Sequence, residues 1–139
     1  MAVQYQGTNF SGWQSQKNVE TIQDTLEKAL LQLCGKETIV AAAGRTDAGV
    51  HALCQVATFE STLTDDERDW ARGINALTPS AIQVHWVKRV PGNFNARYSA
   101  DSRTYKYLFF DADRFDPFIG CLLYTSPSPR DATLSRMPS

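Results

Sequence analysis

Apolar and polar positions along most of this chain alternate with one of two periods, about two residues or about 3.6, and the order of these stretches sets out the elements. The opening residues read as a strand, and Gly7 and Gly12 bracket the loop that follows. Ile22, Leu26, Leu30 and Leu33 then recur at helical spacing. Thr21 is placed to cap that helix, Asp24 completes a capping box three residues later, and Gly35 supplies the stop. A strand is predicted from about Glu37 to Ala43, with both faces of Thr38–Ala43 buried, and a returning strand from Ala52 to Glu60. Thr64, followed by Asp65, Asp66 and Glu67, opens a second helix with Trp70, Ile74 and Leu77 as its apolar stripe, ended by Pro79. Ile82, Val84 and Trp86 alternate with Gln83 and His85 as a half-buried strand, and Thr104 to Phe110 reads as another, rich in aromatics.

The order β, α, β, β, α, β, β predicts an α+β fold, a mostly antiparallel sheet with two helices on one face. The most informative stretch lies between the second and third strands. Gly44-Arg45-Thr46-Asp47-Ala48-Gly49-Val50-His51 suspends one carboxylate between two glycines at the end of an apolar run. A loop rooted in strands is a common address for catalysis. Arg45, two residues before Asp47, is close enough to hold the carboxylate ionised or to take a phosphate. Taken alone, the segment also fits an Asx-type turn with a surface Arg–Asp pair.

Other parts of the chain bear on the choice. The Gly44–His51 segment resembles the catalytic motif of TruA-type tRNA pseudouridine synthases. Val3-Gln4-Tyr5-Gln6-Gly7-Thr8-Asn9-Phe10-Ser11-Gly12-Trp13-Gln14 is similar to that family's opening strand and tyrosine/glycine/tryptophan loop, and Thr21–Leu30 to its first helix. Phe94-Asn95-Ala96-Arg97-Tyr98-Ser99-Ala100 and Arg103-Thr104-Tyr105-Lys106-Tyr107 resemble the two motifs that precede and form its later strand. Five matches in register are far harder to obtain by chance than one.

The resemblance implies one half of a two-subdomain fold, and an isomerase that converts uridine to pseudouridine in the anticodon stem-loop of tRNA, at uridines 38, 39 and 40. It makes Asp47 the essential catalytic residue, as nucleophile at C1′ or as a base on a ribose proton. Tyr105 would stack on the flipped base, Arg45 would occupy the vacated space or hold a phosphate, and Arg97 and Arg103 would contact the RNA backbone. It implies a homodimer for the full-length parent, and neither cofactor nor metal.

Composition adjusts this picture in three places. At 139 residues, 42% of them hydrophobic, the chain can bury a core of its own. No apolar run approaches a bilayer span, and the reading is a soluble, cytoplasmic protein. Cys34, Cys54 and Cys121 are odd in number and lack a C-x-x-C pairing, which points to neither a disulfide framework nor a zinc site. The net charge of −1 argues against binding nucleic acid through bulk electrostatics. Its distribution argues the other way. From Lys88 to Lys106 five basic residues, Lys88, Arg89, Arg97, Arg103 and Lys106, face one acid, Asp101, and interleave with Phe94, Tyr98 and Tyr105, which suits phosphate contact and base stacking.

His51 and His85 are expected to be structural. Trp13 is open between a stacking platform and a packed loop residue. After Gly120 the chain turns rich in Ser, Pro and Arg without periodicity, so residues 1–120 are read as the N-terminal subdomain and 121–139 as a disordered, non-native tail. Two other readings remain: a non-catalytic RNA-binding fragment, and a structural α+β domain without affinity for tRNA.

Overall fold

The computed structural model of the chain describes residues 1–61, 63 and 69–108. By internal contacts the chain forms two units, Met1–Lys106 and Tyr107–Ser139. The expected opening of the second helix at Thr64–Glu67, the end of the last strand at 109–110, the 120/121 boundary, the tail and Cys121 all lie outside the described residues.

Met1–Lys106 is an α+β unit. Strand β1 (Ala2–Tyr5) is followed by helix α1 (Ile22–Cys34), strands β2 (Ala41–Ala42) and β3 (Ala52–Thr58), helix α2 (Trp70–Leu77) and strand β4 (Ile82–Trp86). The sheet order is β2-β3-β1-β4, and every pairing is antiparallel. β1 is thus interior, with Val3 opposite Gln55 on one side and Val84 on the other, and Tyr5 opposite Ala52 and Ile82.

Both helices join one core on the face formed by Val3, Tyr5, Ile82 and Val84. Ile22, Leu26, Ala29 and Leu30 enter it from α1 and Ile74 from α2, while Gln4, Gln83 and His85 on the alternate positions are exposed. Burial of large aliphatic side chains, about 1.5–3 kcal/mol each, holds the layers together.

Helix α1 begins and ends where its sequence signals stand. The Thr21 hydroxyl accepts the Asp24 N–H at 3.2 Å and donates to Asp24 Oδ2 at 2.6 Å, and Gly35 adopts φ 69° with its N–H on the Leu31 carbonyl. Burial works to raise the Asp24 pKa, but hydrogen bonds from Ser15 and Thr21, the Lys28 charge and the Gln16 backbone outweigh it and hold the carboxyl below its ordinary value.

Three expectations need correction. The strand predicted over Glu37–Ala43 shrinks to two residues, because the Val40 N–H donates to Glu27 Oε1 on α1 at 2.8 Å and so leaves the ladder. Val40 is buried there, but Ile39 is 78% exposed, so only one face is covered. Trp86, at the last position of β4, is 43% exposed and lies under the Lys88 ammonium, 5.4 Å from its ring centroid. Residues 104–108 form no strand and are all exposed. Their aromatics favour a pleated, half-buried surface, and no ladder partner for them exists among the described residues.

Candidate active site

The Asp47 loop leaves β2 at Ala43 and enters β3 at Ala52, and its shape is imposed largely by the loop after β1. Trp13 N–H donates to the Thr46 carbonyl at 2.9 Å, Gly49 N–H to the Phe10 carbonyl at 3.2 Å, and Gly7 N–H to His51 Nδ1 at 3.0 Å. The backbones approach so closely that only glycine fits at two points. A Cβ on Gly7 would lie 2.0 Å from the Val50 carbonyl oxygen, and one on Gly12, whose φ is +88°, 2.7 Å from that of Thr46. Trp13 is a packed loop residue, 2% exposed, with its ring tilted against Tyr5 at a centroid distance of 5.9 Å. His51 serves this contact with its Nδ1 lone pair, a structural use of the ring.

Within the loop, burial alternates. Arg45 and Asp47 are exposed, and between them Thr46 is turned inward, its Oγ1 hydrogen-bonded to the Tyr5 hydroxyl at 2.8 Å. The Val50 N–H then closes a turn on the Asp47 carbonyl at 3.2 Å, with Gly49 at φ +79° in the position where a type II turn needs positive φ. At the other end, Gln55 Nε2 donates to the Gly44 carbonyl. β1 and β3 fall out of register between Val3 and Tyr5, which leaves an extra β3 residue at Leu53–Cys54 beside the loop's exit.

Asp47 is therefore an exposed carboxylate on a backbone tied at both ends. The Arg45–Asp47 pair considered from the sequence does not form: no ion pair joins them among the described residues, and both side chains stand open to a ligand.

Tyr105 is 64% exposed, and its hydroxyl lies 3.8 Å from where a Gly44 Cβ would stand. It is not a core aromatic. Arg103 is held by main-chain carbonyls close to the same glycine. The Arg97 guanidinium lies 5.7 Å from the centroid of the 80%-exposed Tyr98 ring, in a turn ordered by Asn95 Oδ1, which accepts the Arg97 and Tyr98 N–H groups. Tyr105 and Arg103 thus lie beside Gly44, the residue that opens the segment carrying Arg45 and Asp47.

Sequence reasoning anticipated a structural His51 but missed that Tyr5 and Gln55 shape the loop. The available signal was the Gly7/Gly12 pair, since glycines after a strand also mark a close backbone approach. Among the described residues, no group of three or more His, Cys, Asp or Glu side chains is placed to hold a metal, and no helix is long and apolar enough to cross a membrane.

Burial pushes the Tyr5 pKa up, against hydrogen bonds with Thr46 and Gln55 that pull it down. The fold therefore favours the neutral phenol. Its contribution is fully present below the ordinary tyrosine value of about 10 and is lost as pH rises through the raised one. Thermal melts from neutral to strongly alkaline pH should show this loss in the parent and not in Tyr5→Phe. At neutral pH the variant should be about 1 kcal/mol less stable, having lost the Thr46 hydrogen bond.

This antiparallel α+β unit presents one exposed carboxylate on a glycine-locked loop, with Tyr105 and Arg103 beside the glycine at which the loop starts. Residues 1–99 match the family model for tRNA pseudouridine synthase, and the chain belongs to that family. It is 46% identical over 111 residues to tRNA pseudouridine synthase A of Pseudoalteromonas atlantica, covering 80% of this chain and 42% of that protein. To the tRNA pseudouridine synthase A of Enterobacter sp. (strain 638) and that of Escherichia coli O1:K1 / APEC it is 44% identical over 111 residues, covering 80% of this chain and 41% of theirs. The chain spans about two fifths of the length of these curated relatives.

Proposed function

We propose that this chain carries the catalytic carboxylate of a tRNA pseudouridine synthase that isomerises uridines 38, 39 and 40 of the anticodon stem-loop. The observation that carries the reading is the exposed Asp47 side chain, unpaired within the described protein, on a loop fixed from both sides.

The reaction breaks the N1–C1′ bond of a uridine, turns the freed uracil and joins its C5 to the same C1′. One proton leaves C5 and one reaches N1, so nothing is oxidised or hydrolysed. Asp47 acts at the sugar, as the nucleophile on C1′ or as the base that removes a ribose proton. A stem uridine must leave its stack before a side chain reaches that carbon. Tyr105 then stacks on the flipped base, and Arg45 fills the vacated space or holds a phosphate. Arg97, beside Tyr98 on the basic and aromatic segment, contacts the RNA backbone. The resemblance in the loop after β1 and in the 94–107 segment supports the further reading of the full-length protein as a cytoplasmic homodimer with tRNA as partner.

The test is conversion on tRNA transcripts that carry a single uridine at 38, 39 or 40, against a transcript with cytidine at all three, read by derivatising pseudouridine and mapping reverse-transcription stops. Stops at the uridine positions alone are expected. Salt-sensitive tRNA binding without stops would instead favour the RNA-binding fragment. Absence of both would leave a structural domain only.

A further inference from the structure

We propose that Arg103 is a positioning residue for the Asp47 loop, acting through two main-chain carbonyls rather than through a phosphate of the RNA; the inference rests on Asp47 being the reacting group. Arg103 Nε and Nη2 both donate to the Ala43 carbonyl, at 3.0 and 2.8 Å, and Nη2 also donates to the Arg97 carbonyl at 2.8 Å. Ala43 is the last residue before Gly44, and its own N–H is held by the Val56 carbonyl of β3 at 2.8 Å. The peptide from which the catalytic loop departs is therefore gripped twice, once by the sheet and once by a side chain sixty positions away.

Arg103 and Tyr105 both pack against Gly44, at ordinary van der Waals distance from the place a Cβ would take. A Cβ there would stand 3.5 Å from Arg103 Cδ and Nε and 3.8 Å from the Tyr105 hydroxyl. The guanidinium thus ties the start of the Asp47 loop, through Ala43, to the main chain at Arg97, from a residue two positions before Tyr105. It sets the distance between the acid and the aromatic that the reaction has to bring to one nucleotide. Arginine suits this task because a planar fork delivers two N–H groups to one oxygen and a third to another, which the single ammonium of lysine cannot reproduce in the same geometry. Charge-assisted hydrogen bonds of this kind are stronger than neutral ones even at a partly exposed site.

The experiment has two arms. In the first, ¹⁵N-edited spectra of the arginine side chains are recorded before and after a tRNA transcript is added to the chain. The Arg103 Nε–H is expected to exchange slowly without RNA and to keep its shift when RNA is present. A freely exchanging Nε–H in the RNA-free chain overturns the proposal. This arm reads the hydrogen bonds themselves, so it is decided even where the chain forms no pseudouridine.

In the second, Arg103→Lys and Arg103→Ala are compared with the parent for tRNA affinity across a salt series and for single-turnover conversion at saturating tRNA. Both variants should bind within about twofold of the parent with the same salt slope, and both should convert uridine about tenfold or more slowly. A salt slope lowered by about one with affinity restored by lysine would mark a phosphate contact and overturn the proposal. Affinity and rate falling together would overturn it as well.

Discussion

Replacing Asp47 by alanine is expected to lower pseudouridine formation at least ~10³-fold while leaving tRNA affinity within about twofold. The separation follows from how the loop is built. Its turn is closed through the Asp47 main-chain carbonyl, and its other ties run through Thr46, Gly49, His51 and Gly44, all of which alanine leaves in place. The carboxylate itself is exposed and has no partner within the described protein, so its removal should change stability by no more than about 0.5 kcal/mol. Asp47→Asn keeps the volume and removes the charge, and should be as slow as alanine. Single-turnover rates at saturating tRNA, with a melting curve for each variant, make the check. A residual rate within about tenfold of the parent would show that the reacting group lies elsewhere.

Gly7→Ala should be the most damaging substitution outside the loop. The added Cβ would stand 2.0 Å from the Val50 carbonyl oxygen and 2.7 Å from its carbon, and neither atom belongs to a flexible side chain. Two backbones must separate, and with them the Gly7–His51 hydrogen bond. Overpacking commonly costs about 1–3 kcal/mol, and a clash between main chains belongs at or above the upper end. A melting temperature lower by roughly 10 °C or more is expected, with conversion lost through the displaced Asp47 loop. Gly92→Ala is the matched control, because nothing lies within 4 Å of its added Cβ and its φ is not in the positive range. It should melt within about 2 °C of the parent. Equal melting temperatures for the two variants would contradict the close approach of the backbones.

Local chemistry was legible in the sequence, and long-range chemistry was not. Helix α1 could be read to its ends because its cap, its apolar stripe and its stop all lie within a few turns of one another. The Asp47 loop could be placed between two strands for the same reason. The short β2 could not, since the group that withdraws Val40 from the ladder is Glu27, thirteen residues earlier on a helix. The tie between Tyr5 and Thr46 spans forty-one positions and exists only because β1 lies beside β3 in the sheet. Exposed Trp86 and the 104–108 segment, which forms no strand, are errors of one kind. Aromatic alternation reports a residue's fitness for a covered sheet surface, and whether the cover exists is a property of the whole unit.

The in-and-out alternation at Arg45, Thr46 and Asp47 gives the loop a parity. An insertion between Gly44 and Asp47 would have to displace either the hydroxyl that meets Tyr5 or the outward-facing acid, because the main chain is tied on both sides of Asp47, at Thr46 to Trp13 and at Gly49 to Phe10.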